Sequence, residues 1–351
     1  MTGHRISTKD IQSGANVKTG ARRSQGQIVI ARALWHVKPF VSELRNEKLG
    51  ALEPGHVRIA TLFSAISRGT ERIVASGQVP HSEWQRMRAP SQSGEFSFPV
   101  KYGYSAVGTV ISGPDGLLDK TVFCLHPHQD VFDLGADKVA VVPGDIPADR
   151  ATLAANMETA LNAHWDAATT AGDKVLVVGA GIVGLLVAYL ASRIAGVDIA
   201  LTDVDESRAA LAASLGLSFI APANVRDHYN IAFHTSATAA GLETAINAST
   251  FEGRVVELSW YGAEAVPVNF GGAFHSRRLQ LVSSQVGHVS PKKRATVTHS
   301  QRLALAMTLL NDTRLDQLVK DRVSFADAPT LMPRILRAPD GLPPVITYST
   351  L

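Results

Sequence analysis

The segment Lys174-Val-Leu-Val-Val-Gly179-Ala-Gly181-Ile-Val-Gly184 constrains the fold more than any other stretch of this chain. Its apolar run reads as a buried strand, the glycines as a tight turn, and residues 182–195 as the helix that follows. The first glycine permits the turn, the second lets a bound group approach the backbone, and the third lets helix and strand pack closely. A helix starting there aims free N–H groups and the positive end of its dipole at the turn. The motif therefore reads as a dinucleotide cradle formed by Gly179, Gly181, Ile182, Val183 and Gly184. A second apolar run, 197–202, ends in Asp203, 19 residues beyond Gly184 (203 minus 184). An acid at that distance accepts hydrogen bonds from an adenosine ribose, with Val204 beside it. Its charge repels the additional phosphate of NADP, so NAD is expected over NADP. Arg208 is near enough to soften that preference, or is simply a solvated helix residue.

The apolar content, 45% of 351 residues, supports two cores rather than one. A formal charge of +3 is mild for this length, and no basic block interleaved with aromatics suggests a nucleic-acid groove. The basic run Pro291-Lys-Lys-Arg294 reads as a solvated loop. A single cysteine, Cys124, excludes an intramolecular disulfide framework and a four-cysteine zinc lobe, and fits a reducing cytoplasm. No apolar run is long enough for a membrane span, and the first residues lack the apolar centre of a secretory signal.

Residues 1–25 are polar, basic and unpatterned, and read as a flexible extension. Short β-like runs follow at 28–34, 56–65, 106–112, 121–125 and 138–142. The apolar spacing turns helical over 148–168, and from 174 to about 284 strands alternate with helices. The later elements are a strand at 231–234, a helix at 239–249, a strand within 253–262 and a last strand at 279–284. Beyond Pro291 come an amphipathic stretch at 300–310, a further run at 315–323, and a β-like ending at 344–348.

This order, together with three segments, resembles the medium-chain dehydrogenase/reductase superfamily, also called the zinc-type alcohol dehydrogenase family. Ser67-Arg-Gly-Thr-Glu71 looks like its Cys-Gly-Thr-Asp loop, Tyr102-Gly-Tyr-Ser-Ala-Val-Gly108 like its Gly-His-Glu segment, and the glycine turn with Thr202-Asp203 like its cofactor turn. The resemblance implies an α/β fold with a Rossmann doubly wound parallel sheet and a GroES-like β-rich domain. The GroES-like catalytic domain is expected over 26–153, the Rossmann NAD-binding domain over 154–288, and a return to the catalytic domain over 289–351. Arg68 stands where the family has a zinc-binding cysteine, and Tyr104 and Ser105 stand where it has His and Glu. An arginine cannot ligate zinc, and neutral tyrosine and serine are poor ligands. The chain thus looks most like a zinc-lacking subgroup related to bacteriochlorophyllide-type hydroxyethyl dehydrogenases. An NAD-linked oxidoreductase, a small-molecule substrate and, by analogy, a homodimer are implied.

Without a metal, something must stabilise the substrate oxygen as its proton leaves or arrives. Tyr104 is the first candidate, as donor or as a base activated by Lys101 or Arg68, with Arg68 as a fixed positive charge and Thr70 as a relay. Equally, Tyr104 packs in the cleft wall and Arg68 pairs with Glu71 or another carboxylate. His126 and His128 lie two apart across Pro127, share a face of an extended chain and could line a pocket or chelate a metal; His128 is the candidate for a substrate-site role, and ordinary surface histidines are the alternative. Glu158 shares a helix face with Asn162 and reads either as an acid/base or as half of an ion pair. Thr235 and Ser236 fall where the family's strand-end loop meets the nicotinamide ribose. The expected activity is interconversion of a secondary alcohol and a ketone with NAD(H) and without zinc. A quinone- or enone-type reductase and a catalytically inactive dinucleotide-binding subunit are the alternatives.

Overall fold

The structure is a computed structural model describing residues 28–338 and 341–349. The extension expected over residues 1–25 lies outside the described residues. Five parallel strands form one sheet in the spatial order Asp198–Thr202, Lys174–Val178, Tyr229–His234, Ser249–Glu257, Gln280–Ser283. A single bridge between Leu201 and Phe219 extends its outer side. After Lys174–Val178 the chain winds first to one side and then to the other, which leaves a crevice at the carboxyl ends of Lys174–Val178 and Tyr229–His234. This is a doubly wound Rossmann sheet.

Burial explains the apolar composition of its central elements. Val175, Leu176 and Val177 are wholly buried because their strand has neighbours on both sides and helices over its faces. The helix Ile182–Ala191 is buried from Gly184 through Ala191, so it carries no polar face. It packs on the helix Ala154–Ala167, where His164 Nε2 lies 2.9 Å from the Val187 carbonyl oxygen.

The remainder is β-rich. Val41–Leu49, Val29–Lys38, Val100–Lys101 and Ser93–Gly94 form one antiparallel sheet. A larger sheet runs in the order Arg322–Ser324, Val345–Thr347, His56–Ala65, Ala106–Ser112, Thr121–Cys124, Val139–Val141, with Val131–Gly135 also pairing His56–Ala65. The final strand thus pairs with one formed nearly three hundred residues earlier in the chain, Val345 opposite Ala65.

Several elements differ from the sequence expectation. The strand Val41–Leu49 is rich in charge and largely exposed, so its sequence carries little apolar signal. The Ser67–Glu71 segment is no simple loop: Arg68–Ser76 is a helix, closed by Gly77 in the left-handed conformation at φ 75°. The helical stretch at 148–168 divides into Ala148–Ala151 and Ala154–Ala167, and the helix after the glycine turn stops at Ala191. Val131–Gly135 and the helix Ala328–Arg337, which carries Pro333 in its interior, were not anticipated. Among the described residues no helix is long and apolar enough to cross a membrane.

The buried histidine of the helix pair makes stability pH-dependent. Burial holds His164 down to about 4, against 6.5 for an unperturbed imidazole. Between these values the unfolded chain binds a proton that the folded chain refuses, so stability falls as pH drops from 6.5 toward 4. The thermal midpoint advantage of the wild type over His164→Gln should be largest at pH 7 and shrink steadily to pH 4. Parallel pH profiles for the two proteins would contradict this assignment.

Candidate functional site

The glycine turn lies at the mouth of the crevice. Gly179 has φ 109°, and a Cβ there would sit 2.7 Å from Ser236 N and 2.8 Å from Thr235 Oγ1. At Gly184 a Cβ would fall 1.9 Å from the Gly179 carbonyl oxygen. Gly181 instead faces open space, and no side chain caps the helix that starts after it. The N–H groups of the first turn, including those of Ile182 and Val183, are therefore available to an anion. Asp203 Oδ2 accepts from Ala180 N at 2.6 Å and Oδ1 from Asp205 N at 2.9 Å, which ties the second strand's end to the turn. Each carboxylate oxygen retains capacity for a further donor. Beside it Thr202 Oγ1 is buried without a hydrogen-bond partner, while Val204 is 90% exposed. An uncapped helix start, a half-buried carboxylate and an orphaned hydroxyl together fit a dinucleotide.

The β-rich part contributes the other wall. Tyr104 donates its hydroxyl to Ser67 Oγ, and Thr70 lies near enough to offset part of the effect of burial on that hydroxyl. Tyr104 is half-buried and packs with Trp260 around Ile73 and Tyr102. The loop after Ser249–Glu257 docks here: Ala263 N donates to Gln78 O at 2.9 Å, and Gly262 leaves no room for a side chain against that carbonyl.

Three expectations need correction, and a fourth residue takes one of its two readings. Tyr104 does not have an activating cation: Lys101 Nζ binds Glu47 and Gln129, and burial pushes the Tyr104 hydroxyl up rather than down. Arg68 turns its guanidinium to the carbonyl oxygens of Ala338 and Gly341, so it holds the C-terminal segment and pairs with neither Tyr104 nor Glu71. His128 has no exposed surface from which to reach a substrate. Its Nε2 lies 3.1 Å from Glu71 and its Nδ1 2.7 Å from Ser64, whose hydroxyl meets Tyr348. Glu158 is the ion-pair half of its two readings: Arg302 Nε donates to it at 2.8 Å while the same guanidinium holds Asn162 and the carbonyls of Val286 and His288. Burial raises the Glu158 carboxyl despite that partner.

The cofactor-side residues also differ in detail. Arg208 is not solvated; it is buried, paired with Asp205 at 3.1 Å and bonded to Gly341 O at 2.9 Å. Thr235 Oγ1 donates to the carbonyls of Gly179 and Val178, so it braces the turn. Ser236 Oγ lies 2.7 Å from His234 Nε2, and His234 Nδ1 lies 2.7 Å from Glu257 Oε2. Neither His234 nor Glu257 was singled out from the sequence. The signal was there: a histidine closing an apolar strand and a carboxylate inside Arg254-Val-Val-Glu-Leu258.

The positions that the resemblance assigns to zinc do not suit it. Ser105 Oγ donates to Thr152 O at 2.5 Å, and Tyr104 and Arg68 have the partners just described. Among the described residues no group of three or more His, Cys, Asp or Glu side chains converges on a point. No family profile matches the chain. The chain is 24% identical over 204 residues to (R,R)-butanediol dehydrogenase of Saccharomyces cerevisiae, covering 54% of this chain and 50% of that protein. It is 25% identical over 154 residues to an uncharacterized zinc-type alcohol dehydrogenase-like protein of Haemophilus influenzae, covering 40% and 45%. Thus it spans about half the length of the curated relatives it matches. The solved L-idonate 5-dehydrogenase of Escherichia coli superposes with a TM-score of 0.75 at 13% identity, over 92% of this chain and 100% of the other. The chain therefore shares the fold of that dehydrogenase. Other structures of this fold were solved with NADP and with NADH.

Two substitutions separate the roles of the glycines. Gly184→Ala drives a methyl into backbone and should prevent a stable fold, read as loss of the cooperative thermal transition. Gly181→Ala should fold normally yet weaken NADH binding by about tenfold or more, because its methyl enters the open cradle. Arg302→Leu should cost about 3–5 kcal/mol in urea unfolding by leaving Glu158 buried without its cation. A loss under 1 kcal/mol would refute that pairing as a structural element.

Proposed function

We propose that this chain is a nicotinamide-dinucleotide-dependent oxidoreductase that interconverts a secondary alcohol and a ketone, with NAD(H) as cofactor and without zinc. The observation that carries the reading is the cradle: an uncapped helix start at Gly181 beside Asp203, at the switch point of a doubly wound sheet. Preference for NAD rests on Asp203 together with the engagement of Arg208, the nearby cation that would otherwise meet a 2′-phosphate, by Asp205 and Gly341. When bound, the nicotinamide supplies the hydride acceptor or donor. Zinc independence rests on the side chains at the vacated positions, each of which has a protein partner.

Tyr104 stays a neutral donor at physiological pH because burial raises its hydroxyl above the ordinary tyrosine range. Turned from Ser67, it would hydrogen-bond the substrate oxygen, with Thr70 as its second partner. A homodimer and a cytoplasmic location, expected from the resemblance and from the single cysteine, belong to the same proposal. The strand Gln280–Ser283 ends its sheet with Leu281 exposed, which suits pairing with a second copy.

Titration of NADH against the fluorescence of the four tryptophans tests cofactor binding, and absence of any response would sink the reading. With 2,3-butanediol and a panel of secondary alcohols, absorbance at 340 nm should rise with NAD at a higher kcat/KM than with NADP. Tyr104→Phe should lower kcat/KM roughly 10–100-fold at unchanged NADH affinity. Stoichiometric zinc in the purified protein would refute zinc independence. NADH binding with no turnover on any alcohol, ketone or enone would favour a dinucleotide-binding subunit.

A further inference from the structure

The carboxyl ends of Tyr229–His234 and Ser249–Glu257 hold a constellation that the reading above does not use. His234 is wholly buried at the last position of its strand. Its two ring nitrogens are bracketed, Nδ1 by Glu257 Oε2 and Nε2 by Ser236 Oγ, each at 2.7 Å. Glu257 is held in turn by Ser259 N at 2.7 Å on Oε1 and by the Tyr261 hydroxyl at 3.2 Å on Oε2. A carboxylate on Nδ1 keeps the proton there and leaves Nε2 as an acceptor for the serine proton.

The surroundings are built for this arrangement. The helix Ala239–Ala248 begins directly over the pair, and a Cβ at Gly241 in its first turn would fall 2.1 Å from Ser236 Oγ and 2.9 Å from His234 Nε2. Ala237, just after the serine, adopts φ 55°, a conformation that an alanine holds only where its surroundings enforce it. His234 has no exposed surface, whereas Ser236 and Glu257 at the two ends of the chain are each half-buried, and the serine hydroxyl also meets Thr238 Oγ1 at 3.0 Å. It also borders the glycine turn, since its backbone N is 2.7 Å from where a Gly179 Cβ would be.

We propose that Ser236, His234 and Glu257 form a proton relay that serves an alcohol or carbonyl oxygen bound at the switch point, with Ser236 Oγ as the catalytic residue. The inference rests on the dinucleotide reading for its place in the reaction. In the oxidising direction the ligand O–H bond breaks and its proton joins Ser236 Oγ, as Ser236's own proton joins His234 Nε2. Glu257 stabilises the resulting imidazolium through Nδ1–H, and no electrons change hands in this step. The reverse sequence delivers a proton to a carbonyl oxygen. A neutral Tyr104 can polarise that oxygen but cannot accept its proton, so the relay supplies the base the other wall lacks.

The same proton transfer makes Ser236 reactive toward phenylmethylsulfonyl fluoride. Its oxygen bonds to sulfur, fluoride leaves, and the proton goes to His234. Full-length protein without cofactor should acquire one adduct, mapped by mass spectrometry to Ser236 and absent in Ser236→Ala. Labelling should slow about 100-fold in His234→Asn and about tenfold in Glu257→Gln, with fold verified by circular dichroism. Glu257→Gln decides the matter if His234→Asn fails to fold. No adduct at Ser236, or a rate indifferent to these variants, would overturn the relay. Saturating NADH should protect Ser236, and labelling that persists with NADH demonstrably bound would overturn its placement at the cofactor. Failure of NADH to bind at all strikes the dinucleotide reading instead, while the adduct result stands by itself.

Discussion

Helix and strand meet at Gly184, where a side chain would strike the Gly179 carbonyl 1.9 Å away, and the other features of the site depend on that approach. Because the helix Ile182–Ala191 can lie so close, its first turn opens onto the carboxyl end of Lys174–Val178 rather than onto solvent beside it. Thr235 then fits between turn and neighbouring strand, donating to the Gly179 carbonyl and bringing Ser236 against the Gly179 backbone. The cradle and the serine–histidine–glutamate chain are therefore one packing solution seen from two sides. A second glycine, Gly241, does for the serine what Gly184 does for the turn.

Most of the ionisable residues around the cleft serve cohesion. Arg302 gathers Glu158, Asn162 and two backbone carbonyls, which fastens the helix His299–Thr308 to Ala154–Ala167. Arg68 and Arg208, from separate parts of the fold, converge on the carbonyl oxygen of Gly341. His128 and Glu71 lie in a buried chain that ends at Tyr348, so the returning strand is bonded into the same region as Tyr104's neighbours. Low local dielectric makes each such network costly to break and insensitive to salt.

Legibility followed the kind of signal each segment carries. Strands such as His56–Ala65 and Ala106–Ser112 were readable end to end because apolar side chains repeat along buried backbone. The strand Val41–Leu49 was not, since an exposed hairpin arm needs no apolar pattern. The glycine turn was readable because backbone geometry there demands a residue type. The partners of Arg68, Glu158 and His128 were not readable, because long polar side chains reach in any direction and their partners lie far off in sequence. Arg302 is 144 residues from Glu158, and Gly341 is 273 from Arg68.

The amino-acid sequence by itself determined a doubly wound sheet and a glycine turn with an acid closing the following strand. These depend on local periodicity and on glycine stereochemistry. Only the tertiary structure decided which candidate groups face the cleft and which hold the molecule together. It also joined His234 to Glu257, 23 residues later on the adjacent strand, through parallel register. Register is a property of two strands at once, and neither strand's sequence contains it.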